Sequence, residues 1–287
     1  MAADQGVTQA IPGSVRRRIG LAFLLVPPLA WLVVAYLGSL AVLLVSAFWS
    51  TNSFTGAVVH RFTTDNIVRV FSDAVFRITT VRTISVALLV TVICIVLAVP
   101  LALYMAKVAS PRMRLLLVIA VTTPLWASYL VKAYAWRMLL SPEGPLSWAS
   151  GYTPGYGLTA TVITLTYLWL PYMIIPVFAA FDRVPDSLID ASSDLGASDF
   201  STLRMVVAPL VFPGIAAGSI FTFSLSLGDY IAVTIVGGKT QLLGNVIYGQ
   251  LVTANNQPLA AALSIIPLAA IILYLLAMRR TGALENV

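Results

Sequence analysis

Two ionisable residues, Lys132 and Asp229, lie within long apolar stretches of this sequence and are the first candidates for chemistry. Charges inside a membrane span are costly, so such residues usually serve a function or pair with one another. Two interpretations remain open. Either Lys132 and Asp229 form a structural ion pair, or Asp229 receives a cation in a transport pathway while Lys132 extends its ammonium group towards the membrane surface.

Aromatic residues in neighbouring apolar stretches supply a second kind of cation-binding group. The face of a tyrosine or tryptophan ring attracts an ammonium group by cation–π interaction. Each ring taken alone is explained as well by packing or by anchoring at the membrane interface. Together with an acid, the rings predict a pathway for a small cationic solute. The residues assigned to it are Lys132, Tyr134, Trp136, Trp169, Tyr172, Asp229 and Tyr230.

Motifs for catalysis, metal binding and nucleotide binding are absent from the sequence. HExxH, CxxC and GxSxG do not occur, and His60, the only histidine, has no second ligand at a suitable spacing. Gly237–Thr240 resembles the end of a phosphate-binding loop, but Val233 stands where that loop needs glycine. We therefore predict no catalytic residue, no metal site and no cofactor in this chain, and we expect any driving nucleotide on another chain.

The composition is that of an integral membrane protein. Of the 287 residues, 59% are hydrophobic and only 10% are charged, and the mean hydropathy is +0.94. Soluble domains carry about a quarter charged residues. The net charge of +6 does not predict a nucleic-acid partner, because the basic residues separate apolar stretches and do not cover one face.

Six apolar stretches are long enough to cross a bilayer, which takes about 20 residues. The first follows Arg16–Arg18 and is about twice as long as a signal-peptide core of roughly 7–15 residues, so it is read as a span. We expect residues 1–15 to form a flexible amino terminus and residues 16–287 a single all-α, polytopic transmembrane domain. The six spans are predicted near residues 19–48, 81–106, 115–140, 158–181, 210–236 and 258–278.

The distribution of basic residues predicts the orientation of these spans. Six spans place both termini on the same side of the membrane. If that side is the cytoplasm, ten of the 17 Lys and Arg residues lie on the inner side, six lie outside and Lys132 lies within a span. The positive-inside rule favours this arrangement. We therefore predict cytoplasmic termini and a cytoplasmic position for the polar segment 182–209.

This segment, residues 182–209, has the pattern of two short helices. Gly196 is suited to end the first helix in the left-handed conformation. Ser198 can cap the second helix, which Pro209 is expected to end. An amphipathic helix between two spans either docks in a groove of another protein or is a solvated loop helix. Aspartates recur here at every fourth position, at Asp182, Asp186, Asp190 and Asp194.

A sequence signature favours docking. Asp190-Ala191-Ser192, three residues, Gly196, nine residues and then Val206–Pro209 resemble the EAA signature of ABC-importer permeases. Asp stands in place of Glu and Ser in place of the second Ala, while the spacing and the glycine are kept. The resemblance implies a type I ABC importer fold, with six transmembrane helices and a cytoplasmic coupling helix. The residues assigned to ATPase coupling are Asp186, Asp190, Ala191, Ser192, Asp194, Leu195 and Gly196.

Four further stretches resemble spermidine/putrescine-type permeases of the B type, from about residue 20 to the end. They are 62–66 (FTTDN), 132–136 (KAYAW), 226–230 (SLGDY) and 244–247 (GNVI). The resemblance implies half of a translocation pathway for a polyamine in a bacterial inner membrane. Permeases for iron, sulfate or similar solutes share some of these motifs and remain an alternative. An ion-coupled secondary carrier is less well supported, because only two charges are buried and no internal repeat is evident.

The same resemblance implies the partners. A second, similar permease would complete the pathway, and two ATP-binding subunits would carry the ATP and magnesium. An extracytoplasmic solute-binding protein would deliver the solute, and lipid would surround the spans.

Overall fold

The computed structural model describes residues 13–52 and 55–280, most of which lie in helices. Five helices are long and apolar enough to cross a membrane, and a bent pair of helices supplies a sixth crossing. The prediction of an all-α protein with six spans is therefore confirmed. Of the predicted amino-terminal segment 1–15, residues 1–12 lie outside the described residues.

The described part of the amino-terminal half contains three crossings and a small β-hairpin. Helices α1 and α2 form one crossing through a π-helical turn, Val33–Leu37, and α4 continues through another, Tyr104–Val108. The elements are α1 (Gly13–Leu32), α2 (Gly38–Ser46), β1 (Ser50–Thr51), β2 (Val58–Val59), α3 (Asp65–Ser72), α4 (Ala74–Leu103), α5 (Pro111–Trp126), α6 (Tyr129–Leu139) and α7 (Pro145–Ser150). The two strands pair antiparallel, with Ser50 opposite Val59.

The carboxyl-terminal half contains three more crossings and four short helices. Helix α10 runs into α11 through a π-helical turn, Leu203–Val207, and α13 is extended by another, Gly249–Thr253. The helices are α8 (Leu158–Asp182), α9 (Asp186–Asp194), α10 (Asp199–Thr202), α11 (Ala208–Gly228), α12 (Ile231–Val236), α13 (Leu243–Tyr248) and α14 (Gln257–Arg280).

Helices α4, α8 and α11 pack against one another and form the centre of the molecule. Two glycines one turn apart on α11 let α8 approach closely. A Cβ atom added to Gly214 would lie 2.4 Å from the Cβ of Ala180, and one added to Gly218 would lie 2.7 Å from the sulfur of Met173. Small residues at such contacts let helix backbones pack tightly in membranes.

Two of the predicted spans are not continuous helices. The span predicted at 115–140 bends by 100° between α5 and α6. The span predicted at 210–236 belongs to a helix that begins at Asp199 and ends at Gly228, and α12 follows as a separate short helix. Hydropathy alone misses both breaks, because the residues at each break are flanked by apolar residues that keep the average high.

Candidate functional site

Asp229 occupies the break between α11 and α12. Its backbone is extended, with φ −75° and ψ 116°, and only 8% of its surface is exposed. The backbone N–H of Ala232 donates to Asp229 Oδ1 at 2.9 Å. The carboxylate thereby satisfies a free donor in the first turn of α12, where helix geometry leaves N–H groups unpaired and favours negative charge. An aspartate that bonds to nearby backbone in this way competes with continuous helix, which explains the break.

Tyr129, the first residue of α6, holds the other carboxylate oxygen. Its hydroxyl donates to Asp229 Oδ2 and accepts from the N–H of Ala232 at 3.2 Å. Sequence reasoning did not select Tyr129, although it lies three residues before Lys132. The signal that could have found it is chemical: a carboxylate buried in an apolar span needs donors, and a tyrosine hydroxyl is a donor that tolerates burial.

These two residues border a cavity of about 330 Å³. The cavity lies where both interrupted helices meet α8, and its walls are mainly aromatic and backbone surfaces around one carboxylate. The lining residues are Tyr129, Trp169, Ser224, Leu225, Gly228, Asp229, Tyr230 and Ile231. Of the predicted pathway residues, the structure thus brings together Trp169, Asp229 and Tyr230.

The aromatic rings beside the carboxylate form a connected row. The Tyr129 and Trp169 rings stack with centroids 6.0 Å apart, and the Trp169 and Tyr172 rings meet edge to face at 5.8 Å. On the other side, the Tyr230 ring stacks on Tyr248 at 4.8 Å. The indole Nε1 of Trp169 is buried and has no hydrogen-bond partner among the described residues. The row therefore offers several π faces and one unused donor near a carboxylate.

The other predicted pathway residues lie outside the cavity lining. Tyr134 is 58% exposed on α6, and the Trp136 ring packs against Tyr167 with centroids 5.3 Å apart. Lys132 Nζ donates to the carbonyl of Pro124 at 3.1 Å. The ion pair of Lys132 with Asp229 is therefore not formed, and the ammonium group of the partly exposed Lys132 lies at this carbonyl instead. It satisfies a carbonyl in the last turn of α5, where a cation is electrostatically favoured.

The polar segment forms α9 and the start of the helix that becomes α11. Gly196 has φ +80°, and its N–H donates to Ser193 O at 2.8 Å while the N–H of Ala197 donates to Ser192 O at 3.1 Å. This pair of hydrogen bonds is the Schellman motif. The prediction that Gly196 ends the helix in the left-handed conformation is confirmed.

Most residues of helix α9 are exposed. Of the residues assigned to coupling, Ser192 is partly buried and its Oγ lies 2.9 Å from Thr202 Oγ1, which ties α9 to α10. The other six are exposed: Asp186, Asp190, Ala191, Asp194, Leu195 and Gly196. Two large apolar side chains, Leu195 and Phe200, are 89% and 72% exposed at the turn between the helices. The surface is open to a protein partner.

Ion pairs connect the segment to the ends of two spans. Lys107 Nζ lies 2.6 Å from Asp186 Oδ1 and also donates to the carbonyl of Val184 at 2.6 Å. Arg114 lies 2.6 Å from Asp182 Oδ1. Asp186, which the sequence analysis assigned to the ATPase, thus has a partner within its own chain. The first pair links α9 to the end of α4, and the second links the end of α8 to the start of α5.

One detail of the predicted segment 182–209 needs correction. Pro209 does not end the second helix, because it lies in the first turn of α11, where its missing N–H costs no hydrogen bond. Pro185 is the residue that precedes the first turn of α9. The cap predicted at Ser198 is confirmed, with Ser198 Oγ accepting from the N–H of Ser201.

Residues 53–280 match the family described as the binding-protein-dependent transport system inner membrane component. The chain belongs to this family. It is therefore a permease subunit of an ABC importer, and the rival interpretation of an ion-coupled secondary carrier is rejected. Within the described residues no cluster of His, Cys, Asp or Glu could hold a metal ion.

Two relatives of the permease cover most of its length. It is 42% identical over 286 residues to the inner membrane ABC transporter permease protein YdcU of Escherichia coli (strain K12), covering 93% of this chain and 91% of that protein. It is 31% identical over 238 residues to the spermidine/putrescine transport system permease protein PotB of the same strain, covering 78% and 84%.

A solved structure shares the architecture of the permease. A chain of a bacterial alginate ABC transporter, in complex with its alginate pentasaccharide-bound periplasmic protein, superposes with a TM-score of 0.72 at 16% identity. The match covers 93% of this chain and 95% of that chain. The type I ABC importer fold implied by the EAA-like signature is thereby confirmed.

Proposed function

We propose that this permease forms half of the translocation pathway for a small cationic solute, with polyamines such as spermidine and putrescine as the substrate class. The observation that carries the proposal is the buried carboxylate of Asp229 beside a cavity of about 330 Å³ lined by Tyr129, Trp169 and Tyr230. A carboxylate and several π faces are the groups that bind an ammonium ion in a site shielded from water.

The charges around the cavity favour a cation over an anion. Asp229 is the only ionisable acid or base among the lining residues apart from tyrosines. Lys132, the basic residue that the sequence assigned to the pathway, donates its ammonium group to the carbonyl of Pro124. Among the described residues the Tyr129 hydroxyl is the one side-chain donor to Asp229, and it is neutral, so a charged ammonium group can take its place on the carboxylate. A sulfate ion at the same place would be repelled by the carboxylate.

The name of one relative points to the same class. The relative that is 31% identical is a spermidine/putrescine permease, whereas the name of the relative that is 42% identical specifies no solute. The polyamine class is therefore the first to test, and permeases for iron, sulfate or similar solutes are the alternative.

The proposed assembly has five components besides lipid. A second, similar permease completes the pathway, two ATP-binding subunits hold ATP and magnesium and carry out hydrolysis, and an extracytoplasmic binding protein delivers the solute. Side chains of Phe23–Ser46 are almost all exposed in the single chain, which leaves them for lipid and the second permease. The assembly lies in the bacterial inner membrane with both termini of this chain in the cytoplasm.

The segment 182–209 is the proposed link to an ATPase. Asp190, Asp194, Leu195 and the turn at Gly196 offer acidic and apolar groups to a groove on that subunit. The ion pair of Asp186 connects α9 to the end of α4, so movement of α9 can pass to α4, and the ion pair of Asp182 connects the end of α8 to α5. ATP-driven closure of the ATPases would then switch the helices between inward-open and outward-open states, which requires the solute to bind the two states differently.

The test is putrescine uptake by proteoliposomes that contain the assembled transporter and internal ATP. We expect Asp229→Asn to lower uptake at least tenfold, because the amide keeps the size of the side chain and loses the charge. Glu143→Gln, at an exposed acid in the loop after α6, is the control and should transport like the wild type. Equal uptake by wild type and Asp229→Asn would refute a role of the carboxylate in cation transport.

A further inference from the structure

Two interrupted helices of the permease meet at the hydroxyl of Tyr129. The α5–α6 pair bends by 100° just before Tyr129, and α11 ends at Gly228, just before Asp229. The hydroxyl of Tyr129 donates to Asp229 Oδ2. A side-chain hydrogen bond between residues 100 positions apart in sequence therefore joins the two breaks.

The short helices that follow the breaks are also joined to each other. Helices α6 and α12 pack through an apolar cluster that includes Ala133, Ile235 and Val236, and Ala160 of α8 also belongs to it. Arg137 Nη1 donates to the carbonyl of Ile235 at 2.5 Å. We refer to α6 and α12 together as the outer helix pair. Because each member follows a break and the members are bonded to each other, the pair is suited to move as one body, with the breaks as hinges.

Tyr129 connects this outer helix pair to both central helices beside the cavity. Its ring stacks on Trp169 of α8, and its hydroxyl reaches Asp229 at the end of α11. The same hydroxyl accepts from the N–H of Ala232 in α12. Tyr129 is thus the one lining residue from α6, and its hydroxyl bonds the carboxylate that the proposed solute would bind.

We infer that the Tyr129–Asp229 hydrogen bond is a latch that the ammonium group of the solute opens. The inference rests on the proposed function. An ammonium group competes with the Tyr129 hydroxyl for Asp229 Oδ2, while the N–H of Ala232 retains Oδ1. The competition favours the solute, because a hydrogen bond between two charged groups is stronger than one with a neutral hydroxyl. Once its hydroxyl is displaced, Tyr129 no longer holds the outer helix pair to α11.

Tyr129 is thus a positioning residue, whose hydrogen bond stabilises the latched state relative to the unlatched state. A solute that binds the unlatched state more tightly than the latched state shifts the population towards the unlatched state. In the absence of solute, the latch stabilises the conformation seen here and keeps ATP hydrolysis slow. A solute that lacks a cationic group cannot replace the hydroxyl, so the latch also selects for cations.

The experiment compares Tyr129→Phe with the wild type in the full transporter, reconstituted in proteoliposomes. Phenylalanine keeps the ring that stacks on Trp169 and removes only the hydroxyl. ATP hydrolysis is measured without solute and with putrescine presented by the binding protein. We expect the rate without solute to rise about tenfold in Tyr129→Phe and the stimulation by putrescine to fall towards none. Tyr152→Phe, at an exposed loop tyrosine, should keep the wild-type rate and stimulation.

A second variant distinguishes loss of the hydrogen bond from a folding defect in Tyr129→Phe. Asp229→Asn weakens the same hydrogen bond from the acceptor side and should also raise the rate without solute. An unchanged rate without solute in both variants overturns the latch. A raised rate with full putrescine stimulation overturns it as well, because the solute then acts elsewhere.

Uptake by the wild type separates the two proposals. If the wild type imports putrescine but Tyr129→Phe hydrolyses ATP like the wild type, the latch fails and the cation importer stands. If the wild type neither imports nor is stimulated by putrescine, spermidine or another organic cation, the cation importer fails, and the cation-opened latch fails with it.

Discussion

The cavity at Asp229 and the segment 182–209 are built by opposite means. The cavity is assembled from residues of three distant parts of the chain, holds a buried carboxylate and depends on two helix breaks. The segment is assembled from neighbouring residues, is largely exposed and depends on one left-handed turn at Gly196. A site for a solute requires convergent groups shielded from water, whereas a docking surface requires a local shape presented outwards. The difference explains why sequence patterns describe the second region better than the first.

The largest effect on uptake is expected at the Gly196 turn of the segment 182–209. Gly196→Val places a β-branched residue at φ +80°, which costs roughly 1–2 kcal/mol and distorts the end of α9. We expect uptake to fall at least tenfold and co-purification of the ATPase to be reduced, while the amount of permease in the membrane is kept.

Gly151→Val is the matched control for this turn. Gly151 ends α7 at φ +70°, and nothing lies within 4 Å of an added Cβ at either glycine. If both variants lose uptake equally, backbone strain explains the loss and the segment 182–209 has no special role.

A smaller effect on uptake is expected from a substitution in the cavity lining. Trp169→Phe removes the buried Nε1 donor that lacks a partner in the described residues. If this donor serves the solute, the KM for uptake should rise about threefold to tenfold, the equivalent of one hydrogen bond of about 0.7–1.4 kcal/mol.

Trp136→Phe is the comparison for the cavity, since it removes the same atoms from a ring that packs on Tyr167 outside the lining. We expect its KM to stay at the wild-type value. An equal rise in both variants would support the wider set of aromatic residues that the sequence suggested over the set that lines the cavity.

The smallest effect is expected at the ion pair of α9. Lys107→Met removes the contact with Asp186, whose side chain is 80% exposed, and exposed ion pairs contribute only about 0–1 kcal/mol. Uptake should stay within about twofold of the wild type. If Asp186→Asn abolishes uptake while Lys107→Met does not, Asp186 contacts the ATPase directly and its intrachain pair is incidental.

Local patterns in the sequence were sufficient to predict the helices and the turn structure of the segment 182–209. Apolar stretches of bilayer length predicted the six crossings, and the Ser198 cap and the Gly196 turn were predicted from rules that act within a few residues. The i, i+4 spacing of Gly214 and Gly218 places both glycines on the face of α11 that contacts α8.

The arrangement of the cavity required the tertiary structure. Asp229 could be selected because a charge in an apolar stretch is conspicuous, but its partner Tyr129 lies 100 residues away and has no pattern of its own. The pairing of Asp229 with Lys132 failed for the same reason. Hydropathy averaged over the apolar stretch did not reveal the break that turns Lys132 back towards Pro124. Similar depths of Lys132 and Asp229 in two predicted helices therefore did not mean that the two side chains are close.

The measurement that tests the central claim most directly is the location of the solute in the working transporter. A putrescine derivative that carries a photoreactive diazirine is irradiated with the assembled transporter during ATP turnover, and the modified residues are mapped by mass spectrometry. We predict adducts on residues that line the cavity, foremost Trp169 and Tyr230, which unlabelled putrescine prevents and Asp229→Asn abolishes. Adducts confined to other parts of the permease, or adducts at the cavity that Asp229→Asn leaves unchanged, would contradict the assignment of Asp229 as the acceptor of a cationic solute.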